Sequence, residues 1–300
     1  GTVDDLNTNT SVAQTSYVLS TDGAAPIVIS ASTSDDSNDN GRIDEIAITF
    51  SEAIDDGNST LDATTFTLSD SYTVSGTVTG TGDDNAVTIN ITEIVSGWDT
   101  DMTPDVTLVN GKVSDGVNSL TSSQLFTGTT DGAAPVLVSS VTLDNNNDGL
   151  VDYVKAEFSE SVSDASVSGS DFVASIAADD LGTDGGDLTE AFTSLTPSSG
   201  NESDVANDEF IYVGVTDGTE TISSDKTDYT LSIASTGTVD DLNTNTSVAQ
   251  TSYVLSTDGA APVLVSSVTL DNNNDGLVDY VKAEFSESVS DASVSGSDFV

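Results

Sequence analysis

The sequence predicts an all-β chain of tandem two-sheet units, and three observations carry that prediction. Val, Ile, Leu and Phe recur in short runs of period two, which sets apolar side chains on one face of a strand. Helix formers are scarce and β-branched residues abundant, with Gly, Ser, Thr, Asp and Asn filling the stretches between runs. Long segments also recur unchanged: residues 1–26 return at 237–262, and residues 130–173 return at 257–300. Such self-similarity marks an array of structural units.

The hexapeptide TDGAAP sets the boundaries. It starts at Thr21, Thr130 and Thr257, spacings of 109 and 127 residues, close to the roughly 100 residues of an immunoglobulin-like β-sandwich. Four pieces follow. Residues 1–22 read as the C-terminal strand of a preceding repeat, 23–131 as a short immunoglobulin-like domain, 132–258 as a long one, and 259–300 as the N-terminal part of a further long repeat. The end pieces lack everything corresponding to residues 174–236, so the expectation is a window of a longer polypeptide, an extended array.

Each complete domain is expected to hold about seven strands. In the short domain PIVISAS (26–32) leads through an Asp/Asn-rich loop into IDEIAITF (43–50), where Ile46, Ile48 and Phe50 share one face. TTFTL (64–68), YTVSGTV (72–78), NAVTINIT (85–92), DVTLV (105–109) and SQLFTG (123–128) follow, each bounded by turn residues. In the long domain VDYVKAEF (151–158) turns Val154, Ala156 and Phe158 inward and Tyr153, Lys155 and Glu157 outward. EFIYVGV (209–215), DYTLSIA (228–234) and SYVLS (252–256) are its later strands, and its extra length falls mostly in 174–208. Strands with one apolar face need a second sheet to cover it.

The loop after the first strand carries the clearest chemistry. With Asp144 as position 1, Asp144, Asn146 and Asp148 fall at positions 1, 3 and 5, Gly149 at 6, Val151 at 8 and Asp152 at 9. That is the first three-quarters of an EF-hand-type calcium loop. Alternate side chains of a tight turn aim oxygens at one hard cation, Gly closes the turn, and the aliphatic residue anchors it. The short domain matches with Asp36, Asn38, Asn40 and Asp44, and the third copy with Asp271, Asn273, Asp275 and Asp279. Position 12, ordinarily a bidentate acid, is Ala47, Lys155 or Lys282, so further oxygens must come from elsewhere.

In an immunoglobulin-like sandwich this loop lies at the C-terminal pole, beside the E–F loop and the outgoing linker. Asp99, Asp101 and Asp105 in the short domain, and Asp217, Glu220 and Asp225 in the long one, are therefore expected contributors, together with the linker residues Asp131 and Asp258. Ca2+ is the expected ion, at or near the domain junctions. The competing reading is a solvated loop whose Asp and Asn side chains make Asx-turns. A second set of acids belongs to the opposite pole: Glu52, Asp55, Asp56 and Asp115 with Asn118, answered by Glu160, Asp164, Asp240 and Asp241. They read either as a second acidic cluster or as solvated loop acids, and the solvated reading is favoured.

Composition narrows the function. Asp plus Glu number 51 against 5 Lys plus Arg, a formal net charge of −46. Such a surface repels nucleic acid and anionic lipid, and its self-repulsion calls for bound metal or high external salt. Cys and His are absent, which removes disulfides, thiol chemistry and most acid–base arrangements, so no enzyme is expected. No apolar run approaches the ~20 residues of a membrane span, so direct membrane insertion is not expected. Trp98, the sole Trp, is expected to pack in the core or in a loop rather than to form a sugar platform.

The stretches AAPVLVSSVTLDNNNDGLVDYVKAEFSESV and AAPIVISASTSDDSNDNGRIDEIAITFSEAI resemble the opening of bacterial immunoglobulin-like repeats with an FSE motif after the second strand. The resemblance covers both complete domains and is weakest over 174–208. It implies long, secreted, acidic surface proteins such as adhesins, S-layer-associated proteins and extracellular fibres. The expected function is a structural repeat region at the cell surface, rigidified by calcium near domain junctions. Its expected partners are neighbouring repeats of the same chain and, laterally, other copies. The alternative is an adhesin stalk whose binding head lies outside this chain.

Overall fold

The computed structural model describes residues 3–12, 20–34, 38, 40–80, 82–176, 188–189, 205–214, 230–235, 237–250 and 254–299. Asp36, Asp217, Glu220, Asp225 and most of 174–208 lie outside them. Among the described residues the chain is all-β, apart from single 3-10 turns at Asp164–Ser166 and Gly169–Asp171. No helix among them is long and apolar enough to cross a membrane.

The first unit contains β1 (Val28–Ser34), β2 (Glu45–Phe50), β3 (Phe66–Leu68), β4 (Val74–Gly80), β5 (Ala86–Ile91), β6 (Val106–Leu108), β7 (Gln124–Phe126) and β8 (Thr129–Thr130). They form one sheet ordered β4-β5-β2-β1-β8 and a second ordered β3-β6-β7. The second unit contains β9 (Leu137–Leu143), β10 (Tyr153–Phe158), β11 (Phe172–Ile176), β12 (Leu188–Thr189), β13 (Phe210–Gly214), β14 (Thr230–Ile233), β15 (Val254–Leu255) and β16 (Thr257–Asp258). Its sheets run β13-β10-β9-β16 and β12-β11-β14-β15. The order β5-β2-β1-β8 is thus repeated by β13-β10-β9-β16, and β3-β6-β7 by β11-β14-β15. The chain repeats its wiring even where the letters have diverged.

Period-two alternation places the cores. Ile46, Ile48 and Phe50 on β2 are buried between less buried neighbours, as are Val154, Ala156 and Phe158 on β10. In the first unit they join Val87 and Ile89 and face Phe66, Val106 and Leu108 of the second sheet. In the second unit they join Ile211 and Val213 and face Phe172, Leu231 and Ile233. Phe158 meets Phe172 edge to face at 6.3 Å. Each fully buried side chain of this size contributes about 1.5–3 kcal/mol of transfer free energy, and the two cores share no residue.

Each unit ends in a two-residue strand that the expected ones omit, and in the second unit β11 and β12 also lie outside the strands named from sequence. β8 pairs in parallel with β1 (Ala31 with Thr129, Ser32 with Thr130), and β16 pairs in parallel with β9 (Val141 with Thr257, Thr142 with Asp258). Two polar residues have no alternation to betray a strand. The pairing nevertheless fixes where the TDGAAP linker leaves each unit. Ala133, further along that linker, is 1% exposed and belongs to the core of the first unit. After the second linker, β17 (Leu264–Leu270) and β18 (Tyr280–Phe285) form a two-stranded antiparallel sheet.

Candidate metal centres at the unit junction

The Asp/Asn-rich loop of the first unit connects β1 to β2 and meets the stretch that follows β5. Asn38 Nδ2 donates to Glu93 Oε1 (3.1 Å), and Asn40 Nδ2 donates to Glu93 Oε2 (2.9 Å). Asn38 Nδ2 also lies 3.4 Å from Asp44 Oδ2. Glu93 was not among the expected ligands. The signal for it is strand register: β5 runs antiparallel to β2 with Asn90 opposite Glu45, so three residues further the chain reaches the loop before β2. The equivalent position in the second unit, three past Gly214, is Asp217, outside the described residues.

Asp99 also meets this loop, and each of its oxygens accepts a hydrogen bond. Ile43 N–H donates to Oδ1 at 3.2 Å, and the Tyr72 hydroxyl donates to Oδ2. Burial raises the Asp99 carboxyl above its ordinary value, opposed by those two hydrogen bonds. Asp101 stays exposed two residues on. Trp98 is 42% exposed and carries the Arg42 guanidinium 4.9 Å above its ring, which is the loop-packing role.

In the second unit the loop is held by its own backbone. Asp144 accepts from the N–H groups of Asp148 (3.2 Å) and Gly149 (2.7 Å), while Asp152 accepts from those of Asn145 (2.8 Å) and Asn146 (3.0 Å). Asn146 Nδ2 donates to Asp152 Oδ1 at 3.2 Å. Burial, with Asp148 and Asp144 nearby, raises the Asp152 carboxyl despite these bonds. In the third copy Asp271 accepts from Asp275 and Gly276, and Asp279 from Asn272 and Asn273, in the same pattern although that loop is exposed. The geometry is therefore encoded locally. Among the described residues, the acids of these loops do not gather within 4.8 Å as three-acid groups, whereas two other clusters do.

The loop glycine sits against the next unit. A Cβ built on Gly41 would lie 2.8 Å from Val138 Cγ1 and 3.0 Å from Ser159 Cβ, both in the second unit. A Cβ on Gly149 would lie 2.8 Å from Ser286 Cβ and 3.4 Å from Val265 Cγ1. Val265 and Ser286 are the repeat equivalents of Val138 and Ser159, so both junctions use one contact. Both glycines have positive φ, +79° and +90°, a conformation that disfavours a side chain independently of the space. The buried Thr100 and Ser159 hydroxyls add a 2.6 Å hydrogen bond across the first junction.

Asp131 leaves the first unit beside the end of β1, where Gly132 N–H lies 3.4 Å from Thr33 Oγ1. Its carboxylate does not turn back to the loop as expected. It faces forward to Glu160 and Asp241 of the second unit, and one oxygen of each of the three lies within 4.8 Å of the others. The physical reason is the turn at Asp241: Asn243 Nδ2 donates to Asp131 Oδ2 at 2.9 Å, and Asn245 Nδ2 lies 3.4 Å from the Asp131 carbonyl. Asp241 itself accepts from the backbone N–H groups of Asn243 (2.8 Å) and Asn245 (2.7 Å) and from Asn245 Nδ2 (2.7 Å). Asp5, in the identical N-terminal stretch, makes the same turn with Asn7 and Asn9 while exposed.

Glu160 and Asp241, expected as solvated acids, are 5% and 2% exposed. Oε1 of Glu160 has no hydrogen-bond partner. Burial pushes its carboxyl up to about 9; a hydrogen bond with Thr100 opposes this, and the charges of Asp131, Asp241 and Asp101 add to it. Burial likewise pushes Asp131 up to about 6, opposed by Asn243 and reinforced by Asp241. The second cluster, Asp22, Glu52 and Asp115, repeats the plan at the entry of the first unit, more exposed. There Asp22 accepts from Ala24 N–H as Asp131 does from Ala133, and Asp115 caps the turn at Asn118. Asp258 again accepts from the N–H two residues on. Asp55, Asp164 and Asp240 turn instead to Asn58, Asn207 and Thr246.

The sequence reading placed Glu52 with Asp115 and Glu160 with Asp241, but it missed the third member of each cluster because it assigned the linker Asp to the unit it leaves. The signal was present: TDGAAP, FSE and a late Asp-bearing turn recur with each complete unit. Comparisons with family models, curated proteins and solved structures gave no match to this chain.

Proposed function

We propose that this chain is a structural stretch of tandem immunoglobulin-like β-sandwich units, held end to end with the help of calcium at the unit junctions. It acts outside the cell as a spacer in a long surface protein or fibre, without catalytic activity. The observation that carries this reading is the repeated junction, in which Gly41 seats against Val138 and Ser159 as Gly149 seats against Val265 and Ser286. A contact reproduced from unit to unit adds a constant rotation and translation at each step, which generates a rod or superhelix.

Two further features support it. The linker is tethered at both ends: Thr129–Thr130 pair with β1 and Ala133 enters the first core, while Asp131 turns to the second unit. The net charge of −46 makes such an array depend on counterions, and a calcium ion neutralises two charges at each junction it fills. The test is the relative orientation of the two complete units in calcium, measured by residual dipolar couplings. One shared alignment tensor is expected. Two independent tensors would overturn the reading.

A further inference from the structure

We infer that a hard divalent cation, calcium by its donor set, binds in the pocket formed by Asp131, Glu160 and Asp241. The inference rests on the calcium-held array and assigns the ion to particular residues. An oxygen of each residue lies within 4.8 Å of the other two, which one ion with metal–oxygen bonds of about 2.3–2.6 Å can span. The second observation is independent of that proximity. Glu160 is 5% exposed and its Oε1 has no partner, although buried polar atoms are as a rule hydrogen-bonded because desolvation without a partner is costly.

The charge needs a counterion, and the described cations of the two complete units are engaged elsewhere. Arg42 is engaged with Trp98 and the Ile94 carbonyl, Lys112 with Thr64, and Lys155 lies over Phe210. Three carboxylates at this spacing repel one another in a partly desolvated site, and a cation among them converts each repulsion into an attraction. The chain contains no His and no Cys, so the available donors are oxygens and the ion is hard. Calcium is favoured over magnesium because oxygens from three separate segments make an irregular cage, which calcium tolerates and magnesium does not.

The ion would join parts that the fold otherwise only brings near. Asp131 belongs to the linker, Glu160 follows β10, and Asp241 lies in the turn bridged to Val162. Its three ligands span residues 131 to 241, so the ion binds the folded unit and not the unfolded chain, and thereby stabilises it.

Calorimetric titration of the 300-residue chain with calcium chloride at constant high salt tests the site. Glu160→Gln and Asp241→Asn are compared with wild type and with Asp164→Asn, an acid of the same region outside the pocket. Thermal melts without calcium establish that each variant is folded. Loss of one bound calcium per chain in each of the first two variants, with Asp164→Asn unchanged, is expected. Wild type that binds no calcium, or Glu160→Gln and Asp241→Asn that bind it with wild-type stoichiometry and affinity, overturns the site. The outcome is separable from the array reading. Loss of calcium in chains whose units tumble independently would keep the site and remove the rod; fixed orientation with unchanged binding would do the reverse.

Discussion

Gly41 and Val138 belong to different units, yet a Cβ on Gly41 would lie 2.8 Å from Val138 Cγ1. Gly111, in the same unit as Gly41, also has positive φ (+71°) but meets nothing within 4 Å. The pair separates backbone strain from junction contact. Each Gly→Ala change should cost about 1–2 kcal/mol from the left-handed conformation. Gly41→Ala should in addition change the orientation of the units, while Gly111→Ala should not. Chemical denaturation and dipolar couplings on both variants check this.

The Thr100–Ser159 bond is a buried polar link between the two units. Ser159 Oγ also accepts Val136 N–H at 2.9 Å, so Ser159→Ala orphans a backbone donor, while Thr100 keeps its hydrogen bond with Glu160. Thr100→Val should cost about 1 kcal/mol and Ser159→Ala more, about 1–3 kcal/mol. A double-mutant cycle should give a coupling of at least about 0.5 kcal/mol. Additive effects would show that the hydroxyls do not stabilise one another across the junction.

Strands and cores were legible because burial and period agree. IDEIAITF and VDYVKAEF each present one apolar face, and the residues named from it are the buried ones. β8 and β16 were not legible, since parallel pairing of two polar residues leaves no pattern in sequence. Glu93 was hidden for a related reason: its approach to Asn38 and Asn40 depends on strand register. The clusters around Glu160 and Glu52 needed the direction in which a linker side chain points, which the Asn243 amide decides for Asp131. The acidic loop was expected to hold calcium with help from oxygens outside it; its described hydrogen bonds close a compact turn within the loop, made by its own Asp and Asn side chains.

The separate cores predict separate unfolding. Phe158→Ala removes a fully buried ring from the second unit and should cost about 3–5 kcal/mol. Calorimetry should show the second unit melting earlier, with the first unit's transition, built on Phe50 and Phe66, shifted only through the lost junction. A single transition that moves as a whole would mean that the two cores unfold as one.

Tyr72 donates its hydroxyl to the largely buried Asp99 carboxylate; burial first, and then this hydrogen bond, raise the Tyr72 hydroxyl above its ordinary pKa. Tyr72→Phe removes that donor and leaves Ile43 N–H as the bond to the other oxygen. A hydrogen bond to a charged group contributes about 1.5–3 kcal/mol, and a loss of that size in the first unit is expected from urea denaturation at neutral pH. A change below about 0.5 kcal/mol would indicate that water replaces the hydroxyl at this partly open site.

Small-angle X-ray scattering of the chain in calcium and then in chelator, at constant high salt, tests the calcium-held array most directly. An elongated particle with one well-defined maximum dimension is expected in calcium. In chelator the cross-section of each unit should persist while the distance distribution broadens, because the junctions loosen before the cores. Identical curves in the two conditions would contradict the account.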